Sequence, residues 1–441
     1  MPHTKNRNSV SQQTESSASS LLERRLKTLG IHSPLFYDEP IALVSAKGVW
    51  ATDVTGRTYL DAYNNVPHVG HCNPVVIEAI QAQASRLNIH TRYLNSQVID
   101  YSEELLATFG DGLEKVSFTN SGSEANDLAF RIANQRTGNT GIIVSDFSYH
   151  GNTSLLADVT TALPTRNGVS SNVRAIRIPD LDTADNDVSP AELFEIAIRE
   201  LDAAIESLNS EGFGVSAFLF DPLFSTEGLC RLPDGYLHAV QQRIHAAGGL
   251  LISDEVQSGF GRTGDAMWGY ELYELAPDLV TMGKPMGNGH PIGGVVTSAD
   301  LLDEFGAANL YFNTFAGNPV SAAAGRAVLQ VMKDEDLMAN AQTTGNVLKE
   351  GLEKLAARFD FAGAVKGQGL FFGVELLPDQ KSGLSAPAVT KKLVENMKDN
   401  RILISKVGRH ETVLKIRPPL VFNKSHAEQL LEGLEAALHS I

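Results

Sequence analysis

Two stretches, Gly248–Gly264 (GGLLISDEVQSGFGRTG) and Asp278–Gly294 (DLVTMGKPMGNGHPIGG), each pass from a short apolar run through an ionisable residue into a cluster of glycines. Asp254 closes the first run and Lys284 follows the second. Short apolar runs bounded by turn-forming residues read as buried strands. In an open parallel sheet ligands bind outside the carboxyl ends of the strands, so a carboxylate and an amine presented there are placed for chemistry rather than packing.

The same rhythm extends on both sides. From about Ile99 the chain alternates: a helix over Tyr101–Phe109, a strand over Lys115–Thr119, a helix after SGSEAND, the strand GIIVSD, a polar insertion over 160–187, a helix over Ala191–Leu208, the strand AFLFDP and a helix around His238–Ala247. Alternating strands and helices predict a mostly parallel sheet flanked by helices, the α/β class. Before it, Leu21–Leu29 has helical spacing, residues 41–65 read as a small antiparallel meander, and Val75–Leu87 reads as a helix. After it, helices over Val320–Lys333 and Leu337–Phe359, the second broken near Thr344, lead to VKGQGLFFGVELL, a helix over Val389–Asn400, the strands ILIS and TVLKIRPPLV, and a helix over Ser425–Leu438. These predict a smaller α+β domain. The expected division is a tail over 1–20, an N-terminal segment over 21–75 that joins the small domain, a large domain over 76–319 and a C-terminal small domain over 320–441.

At 441 residues the chain suits more than one packed unit. A formal charge of −16 argues against nucleic acid or an anionic membrane as partner. No apolar run is long enough to span a bilayer. The only cysteines are Cys72 and Cys230, which exclude a disulfide framework and suggest a reducing, cytoplasmic setting. Residues 1–20 are polar, without the apolar segment of a secretory signal. His68, His71 and Cys72 lack the further ligands that a structural zinc site needs, and are expected to pack beside the site.

A lysine forms a Schiff base when its pKa is lowered, and pyridoxal phosphate is the cofactor that uses one. That cofactor also needs an acid beside its pyridine nitrogen, so Asp254 and Lys284 make sense together. The alternative for each is a solvated strand-end charge. Ser121, Gly122 and Ser123 stand between a strand and a helix, where first-turn N–H groups and two hydroxyls suit a phosphate; a simple Ser N-cap is the alternative. Tyr149 and His150 follow another strand end, where an aromatic can lie on a planar ring and Gly151 allows close approach. GNGHPIGG and GQGLFFG lack dinucleotide spacing, no P-loop is present, and no G-x-S-x-G elbow supports a serine hydrolase.

Taken in order, SGSEAND, SYHG, SDEVQSGFGRTG, TMGKPMGNGHPIGG and FNTFAGNP resemble the motifs of class III aminotransferases, the fold-type I pyridoxal phosphate enzymes. The resemblance runs from about Phe36 to the C-terminus. It implies Lys284 as the Schiff-base lysine, Asp254 as partner of the pyridine nitrogen, Gly122 and Ser123 on the phosphate, Tyr149 on the ring and Gln257 at its phenolic oxygen. It also implies that Thr314 reaches the phosphate of a neighbouring subunit, hence a homodimer with shared sites. NNVPHVGHCNP, HTRYLN and LKIRPP resemble the branch holding mitochondrial-type alanine-glyoxylate aminotransferases and ethanolamine-phosphate phospho-lyases.

Three positions depart from the family pattern. Thr226 stands where many members carry a gating glutamate, Lys415 where many carry the carboxylate-binding arginine, and Ser405 where several carry a mobile arginine. A lysine lacks arginine's planar fork, so carboxylate recognition at Lys415 should be poorer. Lys415 and Arg417 are candidates for an acid or phosphate, with a surface or interface ion pair as the alternative for Arg417, and Tyr63, Asn64 and Asn65 are expected at the mouth of the site. The expected reaction is transamination, in which Lys284 moves a proton and an amine donor passes its amino group to a keto acid such as pyruvate. The alternatives are a phospho-lyase, in which phosphate leaves the neighbouring carbon, and a non-catalytic protein on this scaffold.

Overall fold

A computed structural model describes residues 17–163, 165, 166, 168–182 and 188–441. Three sheets organise the chain. The first holds β1 (Leu43–Lys47), β2 (Trp50–Asp53) and β3 (Thr58–Asp61). The central sheet holds β4 (Lys115–Thr119), β5 (Gly141–Ser145), β6 (Val173–Ile176), β7 (Val215–Phe220), β8 (Leu250–Asp254), β9 (Leu279–Met282) and β10 (Gly293–Thr297) in the order β4-β10-β9-β8-β7-β5-β6. Only β10 runs against its neighbours. The third sheet is built from β11 (Ala362–Gln368) and β12 (Phe371–Leu376). Of the remaining strands, β13 (Ile402–Leu403) pairs with β3 and so ties the C-terminal part to the first sheet, while β14 (Ser405–Val407) and β15 (Val413–Ile416) complete the third.

The central sheet is covered on both faces, which is why its strands read as unbroken apolar runs. Successive side chains sort by the two-residue period: Ile142, Val144, Ala217, Leu219 and Ile252 pack with the helix Gly122–Thr137, while Ile143, Phe218, Phe220 and Leu251 pack with the other core. Burying each of the larger of these side chains contributes about 1.5–3 kcal/mol. All parallel strands therefore end on one edge, and the antiparallel β10 begins there, with Gly293 opposite Thr119. Asp254 and Lys284 stand on that edge.

Several sequence expectations need correction. The polar stretch 160–187 contains β6, whose VRAI run was hidden by its polar flanks, and part of that stretch lies outside the described residues. The helix Leu337–Ala356 is continuous through Thr344: the Thr344 hydroxyl bonds within the helix to Asn340, and Gly345 serves close approach to the Gly369 backbone rather than a break. The helix expected from Tyr101 begins at Ser96 on an Asn95 cap. β10 and the helix Ala299–Ala308 had no counterpart in the sequence reading. Of the expected tail, residues 1–16 lie outside the described part, whereas Ser17 caps a helix over Ala18–Thr28.

Candidate active site

Asp254 is buried at the end of β8 and accepts three hydrogen bonds. Asn126 Nδ2 donates at 2.9 Å and His150 Nδ1 at 2.8 Å to Oδ2, while the Val256 N–H donates to Oδ1 at 3.1 Å. Asn126 in turn is fixed by donating to the His150 carbonyl at 2.8 Å and accepting from the Thr281 hydroxyl at 2.6 Å. Three strand ends and one helix thus hold a single carboxylate in one place. Three donors thus converge on one buried carboxylate.

Lys284 opens a short 3-10 turn, Lys284–Gly287, after β9. It is exposed because it opens onto a cavity of about 280 Å³, lined also by Ser121–Ser123, Tyr149–Gly151, Asp221, Asp254, Val256 and Gln257. Protein crowds the amine on its other sides. That desolvation first, and the nearby Arg417 cation second, push its pKa below the usual lysine value, against the pull of Asp254 and Asp221.

The helix Gly122–Thr137 points its N-terminus at the cavity. The Ser121 hydroxyl caps it by accepting from the Glu124 N–H at 3.2 Å. First-turn N–H groups lack intrahelical acceptors, so this end attracts an anion. Glycine is required here sterically: a Cβ on Gly122 would lie 2.7 Å from Val256, and one on Gly151, at φ 141°, would lie 2.6 Å from the Ser123 hydroxyl. Tyr149 is 37 % exposed, its ring facing the cavity.

Gln257 joins this wall to the third sheet. Lys415 lies on β15 opposite Gly373 and Ser405, and its Nζ donates to Gln257 Oε1 at 3.1 Å; Arg417 Nη1 donates to the same oxygen. Both cations are buried, and burial is the main reason each pKa is lowered, each also feeling another cation or anion nearby. Arg417 also lies against Phe371 at 5.3 Å and Tyr63 at 5.4 Å. The surface placement weighed for Arg417 is therefore corrected.

The structure brings together Ser121, Gly122, Ser123, Tyr149, His150, Asp254, Gln257 and Lys284 around one cavity, with Lys415, Arg417 and Tyr63 behind Gln257. Asn64 is tied to Asp61 instead of lining the mouth, where Val66 stands. Thr314 lies on an exposed loop outside the cavity. His68 and His71 diverge: His68 Nε2 donates to the Phe260 carbonyl at 2.7 Å and its Nδ1 accepts from Arg262, while His71 pairs with Asp61. Sequence reasoning missed Asn126 and Asp221. Asn126 was legible in principle, since four residues after Gly122 is one helical turn along the same face.

This geometry matches a known family. The family model for aminotransferase class III covers residues 36–438. This chain belongs to the class III aminotransferases. As a class III chain it shares 34 % identity with an alanine-glyoxylate aminotransferase 2-like protein of Drosophila melanogaster, over 95 % of this chain and 87 % of that one. It shares 35 % with an ethanolamine-phosphate phospho-lyase homologue of Caenorhabditis elegans, over 95 % and 93 %. A solved phospholyase from Arthrobacter in complex with phosphoethanolamine is 58 % identical, with TM-score 0.93 over 96 % of this chain and all of that one. The fold is that of the fold-type I enzymes, and the class III cofactor is pyridoxal phosphate, present in a solved neighbour.

Proposed function

We propose that this enzyme is a pyridoxal phosphate-dependent phospho-lyase acting on a small phosphorylated primary amine. The observation that carries the reading is the pair of buried cations, Lys415 and Arg417, resting on one neutral oxygen of Gln257. Two desolvated cations that share one hydrogen-bond acceptor, with Asp221 as the anion acting on both, leave room for the charge of a phosphorylated ligand beside them. The 58 % identity to a phospholyase agrees. Transamination, the first expectation from sequence, is the second reading: the family and the Drosophila relative bear aminotransferase names.

The residues fit the cofactor. The helix start at Gly122–Ser123, with the Ser121 turn, would hold its phosphate, Tyr149 and Val256 would supply apolar surface for the ring, Gln257 would reach its phenolic oxygen, and Asp254, held by His150 and Asn126, would face the ring nitrogen. Lys284 would attach it covalently. When bound, pyridoxal phosphate supplies an electron sink for the carbon that carries the amine. Lys284, its pKa lowered, takes the proton from that carbon. The bond from the neighbouring carbon to the phosphate oxygen then breaks, its electron pair leaving on phosphate, which Lys415 and Arg417 receive. Water hydrolyses the released enamine to an aldehyde and ammonia, so no keto acid is consumed.

We infer further that two copies assemble. Leu94 and Leu310 are fully exposed and Phe315 is 72 % exposed; around them His90 stacks on Tyr93 and Arg92 lies 3.8 Å over Phe312. Such a patch suits an interface. It adjoins the cavity through Asn120, which lines it and donates to Asn313 at 3.0 Å, and this supports the reading that Thr314 reaches the phosphate of a partner subunit. Cys72 and Cys230 are free thiols, in keeping with a cytoplasmic setting. Borohydride treatment followed by peptide mapping should leave the cofactor on Lys284; label on another lysine, or none, would overturn its assignment. Light scattering should show a dimer that Leu310→Asp weakens.

A further inference from the structure

Arg262 is fully buried, and the partners of its guanidinium are all neutral. Nη1 donates to the carbonyls of Leu370, at 3.2 Å, and Pro418, and Nη2 donates to His68 Nδ1 at 3.0 Å. His68 is kept as an acceptor there, because its Nε2 donates to the Phe260 carbonyl at 2.7 Å and because burial first, then the Arg262 cation, holds its pKa well below the usual histidine range. Burial, then Arg417, pushes the pKa of Arg262 itself down to about 9, which leaves it a cation at neutral pH. Taking a guanidinium out of water with no anion beside it is unfavourable. Phe260 adds backbone strain at the same point, as a non-glycine residue at φ 60°. Strain and desolvated charge of this kind gather at functional sites.

Both carbonyls belong to neighbours of the Arg417 site. Pro418 follows Arg417, and Leu370 precedes Phe371, whose ring lies 5.3 Å from the Arg417 guanidinium. Leu370 also donates its N–H to the Arg262 carbonyl at 3.1 Å, and Gly369 approaches so closely that a Cβ there would lie 2.3 Å from the Thr263 backbone. The loop after β8 therefore holds Arg417 at two points: Gln257 accepts from its guanidinium, and Arg262 fixes the backbone just beyond it. Among the described residues the bond to Gln257 is the one hydrogen bond of the Arg417 side chain, and its Nε is buried without a partner, so its aim depends on that backbone anchor. We propose that Arg262 is a positioning residue for Arg417 and through it a determinant of selectivity for a phosphorylated amine. The proposal rests on the reading that Arg417 receives the substrate phosphate. A planar fork can span two carbonyls and a ring nitrogen at once, which a lysine cannot.

The test is steady-state phosphate release from phosphoethanolamine by the holoenzyme of each variant, with the visible band of the bound cofactor as the check on folding. Arg262→Gln should raise KM by about tenfold or more while kcat stays within about threefold, the mark of lost binding rather than lost chemistry. A fall in kcat at unchanged KM overturns the positioning role. Arg262→Lys keeps the charge without the fork and should resemble Arg262→Gln; a wild-type KM in it overturns the proposal in favour of charge alone. Added to Arg417→Gln, Arg262→Gln should raise KM by no more than about twofold further, since it acts through the group already removed, and full additivity overturns that route. His68→Gln keeps a donor for the Phe260 carbonyl but removes the acceptor of Arg262. It should raise KM about two- to fivefold and provides the test if Arg262→Gln fails to fold; an unmoved KM there overturns the proposal. An Arg417→Gln effect that Arg262→Gln does not share overturns the proposal alone. A wild type that releases no phosphate, or an Arg417→Gln with unmoved KM, overturns the reading of Arg417 beneath it.

Discussion

The two walls of the cavity differ in how completely their charges are satisfied from within the chain. On the sheet-edge wall, Asp254 accepts from Asn126, His150 and Val256, and Asn126 is itself held by Thr281. On the facing wall, Lys415 and Arg417 converge on a single amide oxygen, and Arg417 Nε has no hydrogen-bond partner among the described residues. The Asp254 carboxylate on the first wall is fully partnered before any ligand arrives, as suits a resident cofactor. The second is left short of negative charge, as suits a substrate that brings its own and departs.

The largest expected effect lies on the first wall. Lys284→Ala should lower turnover by about 10⁴-fold or more and remove the visible band of the reconstituted enzyme. Steady-state turnover close to wild type would break the assignment. On the second wall, Lys415→Met and Arg417→Gln should each raise KM for a phosphorylated amine by about 10–10²-fold, the equivalent of ~1.5–3 kcal/mol for a hydrogen bond to a charged group. The same variants should change KM for an unphosphorylated amine much less. Equal losses on both substrates would show that the cations are structural, and the contrast between the walls would fall.

A pH series sharpens the comparison, because the second wall acts on the first. Lys284 attacks the cofactor only when neutral, so the rate of cofactor uptake by apoenzyme should rise with pH. Its lowered pKa brings that rise to lower pH than an ordinary lysine would show. Arg417 is one cause of the lowering, so Arg417→Gln should move the profile to higher pH; a shift to lower pH would contradict the coupling.

A smaller effect comes from beneath the sheet edge. Glu255, fully buried between Asp254 and Gln257, accepts from the Ser253 hydroxyl at 2.9 Å, the Ser258 hydroxyl at 2.7 Å and the N–H groups of Gly269 and Tyr270 at 2.7 and 3.0 Å. Glu255→Gln places an amide N–H₂ where donors already point. It should cost about 1–3 kcal/mol in denaturant unfolding and weaken cofactor binding severalfold, with little change in selectivity between phosphorylated and plain amines.

Much of the first wall was legible in the sequence for a local reason. Its residues sit at ends of buried strands and at a helix start, where apolar runs and glycines mark position, so Asp254, Lys284 and the Ser121–Ser123 turn could be placed from local pattern. Asn126 could be placed on the site-facing side of its helix, one turn after Gly122, but its bond to Asp254 across the fold carries no local sign. The second wall depends on long-range register. That Lys415 lies opposite Gly373 and Ser405, and that Arg417 beyond the strand still reaches Gln257, follows from how β15 packs against a loop some 160 positions earlier, near Gln257. The small strand β6 and the continuity of the helix through Thr344 were obscured likewise, by polar flanks in one case and by a glycine used for close packing in the other.

The most direct test of the account is inorganic phosphate release from phosphoethanolamine by the holoenzyme with no keto acid present. The account predicts sustained, multiple-turnover release of phosphate, aldehyde and ammonia in equal amounts, depending on Lys284 and weakened in Lys415→Met. No phosphate release, together with alanine formation from pyruvate and an amine donor, would contradict it and establish the transaminase reading instead.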